Sequence, residues 1–151
     1  MKTTMGFAVA AAILAGGPCE GPTALPLPHE QVVGTWGGEN AGLIADDSTA
    51  HVHIGCTFGN IPHGIVAVSG AFVVPGEYLL RAYPVAVGPM LPAQFQGRVS
   101  GKTLTLTVIV TDTTADTTAT LGPVRLYYGR EPQMGPCPIC RSPRGAPMSP
   151  R

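Results

Sequence analysis

Apolar and polar residues alternate along residues 103–111: Leu104, Leu106, Val108 and Val110 share one face, while Thr103, Thr105, Thr107 and Thr111 share the other. Successive side chains of a strand point to opposite sides of a sheet, so this pattern predicts a half-buried strand with one packed and one wet face. Weaker forms of the same alternation predict strands over residues 32–36, 42–45, 49–56, 65–74, 77–87, 94–100 and 124–129. Between Gln31 and Arg130 no window carries apolar residues at helical spacing.

The connections are short. Val74-Pro75-Gly76-Glu77 puts proline and glycine where a type II turn wants them, and Ser100-Gly101 lies between two alternating runs as a hairpin loop does. Asp46-Asp47-Ser48 reads as a turn, and residues 112–118 as a polar hairpin tip that extends the strands on both sides. About eight sequential antiparallel strands follow, which predicts an all-β fold. A small closed barrel is preferred because closure removes unpaired edges; a two-sheet sandwich is the alternative.

The flanks differ from this middle. Lys2 followed by an apolar run of about eleven residues, Met5 to Ala15, reads as a secretory signal peptide over residues 1–17 and is too short for a membrane-spanning helix. Residues 18–30, with Pro18, Pro22, Pro26 and Pro28, read as a proline-rich linker. The β-domain is expected over residues 31–140 and a disordered tail over residues 141–151. The expected location is therefore secreted or periplasmic. A lipid anchor at Cys19 is disfavoured because Pro18 stands where lipoprotein processing needs a small side chain.

Composition narrows the partners. Nine Lys plus Arg balance nine Asp plus Glu, and charged residues make up only 12% of the chain, so it lacks a basic footprint for nucleic acid. With 20 Gly and 16 Pro, the chain favours frequent turns.

Candidate chemistry is sparse. Thiols tend to pair in an exported protein, and Cys56 ends a strand on the face of Ala50, Val52 and Ile54. Cys56 with Cys137 is the preferred disulfide; Cys56 with Cys140 is the alternative, and Cys19 is available to whichever thiol remains. His51 and His53 alternate along one strand and share its outer face, so two imidazoles at that spacing can hold one metal ion, zinc for instance, with His63, His29 or the C-terminal cysteines as further ligands. The plainer reading is two polar residues on a solvated face. No arrangement supports a serine nucleophile, a phosphate loop or a paired acid and base, so no catalytic residue and no cofactor are expected.

Gly34-Thr35-Trp36 resembles the Gly-x-Trp opening of lipocalin-like barrels, which implies a tryptophan closing the barrel base and an arginine, here Arg125, packing over it. More of the chain resembles a family of small exported bacterial β-proteins of uncharacterised function. The resemblance rests on Gly34-Thr35-Trp36-Gly37-Gly38, the loop Cys56-Thr57-Phe58-Gly59-Asn60-Ile61, Phe95-Gln96-Gly97-Arg98-Val99-Ser100-Gly101 and a terminal cysteine. It strengthens the Cys56 with Cys137 pairing and implies no catalytic residue; Cys140 and the tail depart from its pattern.

Two functions are expected from these readings. One is a binding module holding a small apolar ligand in an interior lined by Trp36, Val52, Ile54, Phe72, Tyr78, Phe95, Leu106, Val108 and Tyr128. The other is a non-catalytic structural or interaction protein of the cell envelope with a packed interior, the usual state of an eight-stranded barrel. Zinc binding through His51 and His53 is third.

Overall fold

A computed structural model describes residues 29–80 and 88–135. Ten strands lie among them: β1 (His29–Val32), β2 (Gly34–Gly38), β3 (Ala41–Ala45), β4 (Ala50–Ile54), β5 (Thr57–Ile61), β6 (Ile65–Val68), β7 (Ala71–Leu79), β8 (Leu91–Ser100), β9 (Thr103–Asp112) and β10 (Thr117–Tyr128). Every pairing between these strands is antiparallel. The order β7-β5-β4-β3-β2-β10-β9-β8 returns to β7, so the chain is a closed eight-stranded antiparallel β-barrel. A side ladder of β1 and β6 hangs from the start of β7. Closure is the outcome expected over an open sandwich, and it gives each of the eight strands two neighbours.

Period-two alternation sends one face of each strand inward. On β9, Leu104, Leu106, Val108 and Val110 are fully buried, as their alternation predicted. Across the barrel the register stacks Val52 opposite Gly59, Gly59 opposite Tyr78, and Tyr78 opposite Leu91, which forms one interior layer. Val74 opposite Phe95, and Phe95 opposite Val108, forms the next.

Several boundaries differ from the sequence expectation: residues 32–36 are split at Val33 between β1 and β2, and Gly55-Cys56 is the turn after β4 rather than its end. Residues 57–61 are a strand rather than a loop, because inward-facing Gly59 interrupts the apolar alternation without interrupting the ladder. Pro75-Gly76 is not a turn but the middle of β7, paired with Gln94 and Ala93 of β8. The opposite edge of β7 meets β6 only at Ala71 and β5 only from Glu77 onward, so proline there removes no ladder bond on that side. The real break falls at Ser69 and Gly70, both at positive φ, which splits residues 65–74 into β6 and the start of β7. Strand β1 also begins at His29, inside the expected linker.

After β10 the chain crosses back over the outside of the barrel. A Cβ at Gly37 would collide with the backbone of Arg130 and Glu131, and one at Gly42 would collide with Pro132. Hydrogen bonds from Gln133 N to Gly38 O (3.0 Å) and from Asn40 N to Gln133 O (2.8 Å) fix this strap against the β2–β3 turn. The glycines of the Gly34-Thr35-Trp36-Gly37-Gly38 motif thus serve close approach of the chain to itself.

Candidate functional site

Val52, Tyr78, Phe95, Leu106 and Val108 are fully buried, and Trp36 and Phe72 are 5% exposed. Ile54 packs on the core from a half-buried position, and Tyr128 stands 48% exposed at the barrel end. Apart from Tyr128, the expected lining residues converge, and the rings of Phe72, Tyr78 and Phe95 occupy the space between the walls. Tyr78 and Phe95 have ring centroids 6.2 Å apart, and a Cβ at Gly59 would lie 2.9 Å from Phe95 Cζ and overlap the Tyr78 ring. The Phe72 ring likewise occupies the volume a side chain at Gly97 would need.

Tyr78 is also tethered at its polar end. Thr57 Oγ1 donates to Ile54 O (2.7 Å), so its oxygen accepts from the Tyr78 hydroxyl at 2.8 Å. Burial pushes the Tyr78 phenol above its ordinary pKa, against the smaller opposing effect of these hydrogen bonds.

At the barrel end, Trp36 Nε1 donates to Val33 O at 3.1 Å. Its ring neighbour is Tyr128, edge-on at 5.1 Å, because the register sets these residues directly opposite. Arg125 was expected over the tryptophan. It is exposed, one residue out of phase with inward-facing Leu126, and lines an outer cleft with Glu39, Tyr127 and Arg130.

A polar cluster lies on the outer wall. His51 and His53 share the outer face of β4, as their spacing predicted, and their Nε2 atoms are 2.9 Å apart. The rings meet edge-to-face with centroids 4.7 Å apart. Strand β5 supplies what the sequence reading did not see. Asn60, opposite His51, accepts at Oδ1 from His51 Nδ1 (2.6 Å), and Phe58, opposite His53, lies 5.6 Å from the His51 ring and 5.7 Å from the His53 ring. Reading residues 57–61 as a strand is the signal that would have found both. Burial and the neighbouring His51 lower the His53 pKa below 6.5, while a hydrogen bond to the Thr57 backbone works the other way.

The further ligands considered from sequence do not join this pair. His63 bonds Gly64 O with its own Nδ1 (3.1 Å), and His29 is exposed on β1. Among the described residues no three His, Cys, Asp or Glu side chains form a metal-sized group. Cys19, Cys137 and Cys140 lie outside the described residues, as do the leader, most of the linker and the tail. No helix among the described residues is long and apolar enough to cross a membrane. No family model, curated protein or solved structure matches this chain.

Proposed function

We propose that this chain is an exported, non-catalytic β-barrel that works through its outer surface, as a structural or interaction protein of the cell envelope. The observation that carries the reading is the interior: Tyr78, Phe95 and Phe72 stand over Gly59 and Gly97, in the space an apolar ligand would need. The outer wall offers apolar contact area instead, with Ile44 55% and Val73 59% exposed. Val73 borders a shallow groove of ≈ 380 Å³ with Pro75, Pro92 and Ile109.

Export is supported by the leader pattern of residues 1–17, and it favours a disulfide between Cys56 and Cys137. The strap supports this pairing. Gly135 N donates to Asn40 Oδ1 (3.3 Å) and Gly55 N to Asn40 O (2.8 Å), so one asparagine holds a residue two before Cys137 and the residue before Cys56.

A native mass spectrum of the protein exported under its own leader tests the reading. The expected mass is that of the bare polypeptide shortened by the leader and lighter by the hydrogens of its disulfides. A non-reduced digest is expected to contain a peptide joining Cys56 to Cys137. Bound organic mass released on denaturation would overturn the packed-interior reading in favour of the apolar-ligand module.

A further inference from the structure

We propose that Nε2 of His51 and Nε2 of His53 form a cis pair of ligands, on the outer wall of the barrel, for a divalent transition-metal ion that prefers square or octahedral coordination, copper(II) first. This inference does not depend on the interior being packed.

The first ground is tautomeric. Asn60 Oδ1 is an acceptor, so the His51 nitrogen facing it at 2.6 Å carries the ring proton. In the neutral ring that leaves Nε2 as a lone pair, turned toward His53. The His53 ring turns its Nε2 toward His51. A ligating histidine characteristically gives its second N–H to a carbonyl, which fixes the tautomer and the ring direction. His51 has that support before any ion binds, and Phe58 braces both rings on one side.

The second ground is distance. With metal–nitrogen bonds of about 2.0–2.1 Å, two nitrogens 2.9 Å apart subtend about 90° at the metal. That is the cis angle of square-planar and octahedral coordination. A tetrahedral ion needs the nitrogens about 3.3–3.4 Å apart, so zinc requires the rings to spread. Copper(II) combines tetragonal preference with the highest affinity among the first-row divalent ions, and nickel(II) follows. Without an ion, His53 donates its Nε2–H to the His51 Nε2 lone pair, and on metal binding that ring proton moves to His53 Nδ1 through solvent. Since no third protein ligand gathers among the described residues, water completes the coordination sphere.

The third ground is rigidity. His51 and His53 sit on a strand paired on both sides, with β3 and with β5, so their spacing is set by the sheet and not by a loop.

The test uses the full chain, titrated separately with copper(II), nickel(II) and zinc(II) by calorimetry, with electron paramagnetic resonance of the copper form. The expected result is one copper equivalent with two histidine nitrogens in its equatorial plane, and affinity in the order copper, nickel, zinc. His51→Gln and His53→Gln are each expected to weaken that equivalent by at least about tenfold, and Asn60→Ala by about tenfold through loss of ring support. His29→Gln and His63→Gln are expected to leave it unchanged. Proton NMR of the unmodified protein gives a second readout, since copper(II) is expected to broaden the His51 and His53 ring signals first. An undiminished copper equivalent in the His51→Gln, His53→Gln double variant, or broadening that spares both rings, would overturn the proposal. A pair that takes up protons but no metal would overturn it equally.

Discussion

Pro132 rests on Gly42: a Cβ added at residue 42 would overlap the proline ring, with 2.7 Å to Pro132 Cβ. The glycine leaves a flat patch on the outer face of β3, and the strap after β10 lies in it. Alanine at Gly42 or Gly37 has to lift the strap, because at Gly37 the obstacle is the Arg130–Glu131 backbone, which cannot rotate away as a side chain tip can. Gly37→Ala is expected to cost about 1–3 kcal/mol by overpacking and to speed trypsin cleavage after Arg130. Limited proteolysis followed by mass spectrometry checks this; cleavage at the unmodified rate would mean that the strap does not depend on the glycine.

The interior predicts opposite kinds of damage from adding and removing atoms at one contact. Phe95→Ala deletes a fully buried ring and is expected to cost about 3–5 kcal/mol. Gly59→Ala adds one methyl against Tyr78 and Phe95 and is expected to cost about 1–3 kcal/mol. Urea unfolding, followed by the fluorescence of the single tryptophan, Trp36, reads both. The pair of substitutions should be less damaging than the sum of the single ones, because the alanine at residue 95 leaves room for the new methyl.

His53 makes stability depend on acidity in a definite direction. Its pKa is lowered in the folded protein, by burial and then by His51, so the unfolded chain takes up this proton first as pH falls. Stability from this group is whole above the ordinary value of 6.5 and declines as pH drops through it, levelling off below the folded pKa. His53→Gln is expected to flatten the fall in Tm between about pH 7.5 and about pH 5. An unchanged slope in that variant would place the acid sensitivity elsewhere.

Asp46 gives the same direction of dependence in a lower range. Its Oδ1 accepts from Ser48 N (2.8 Å), Ser48 Oγ (2.8 Å) and Thr49 N (2.6 Å), closing the β3–β4 turn. The Ser48 backbone bond is the largest cause, and together these bonds hold the carboxyl at about 2 instead of 3.8. The turn's contribution is complete above 3.8 and is lost as pH falls through about 2. Carboxyl NMR titration is expected to place the Asp46 midpoint at about 2. A midpoint near 3.8 would show that these bonds do not form in solution.

What the chain reveals on inspection follows from how well its pattern survives local interruption. Strand β9 was legible because nothing breaks its alternation, and the shared face of His51 and His53 was legible for the same reason. Strand β5 was hidden by Gly59, whose missing side chain is the space that Tyr78 and Phe95 occupy. Without β5, neither Asn60 nor Phe58 had a place beside the histidines. Pro75-Gly76 imitates a turn because proline and glycine are judged by backbone preference, whereas here the partly unpaired edge of β7 tolerates one and a close approach by Asn60 and Phe95 uses the other. The strap has no periodicity at all; only the paired glycines beneath it mark its path.

The barrel closes where Trp36 and Gly37 meet Tyr128 and Tyr127, and only these two register pairs join β2 to β10. The partners lie about ninety residues apart, while the other seven junctions of the ring join strands near each other in sequence. The junction with the greatest sequence separation is therefore also the one that needs both ends of the domain. During synthesis the sheet can grow from β2 to β9, but it stays an open ribbon until Tyr128 has left the ribosome. Until then the apolar face of every strand is within reach of chaperones and of any machinery that handles unfolded chains.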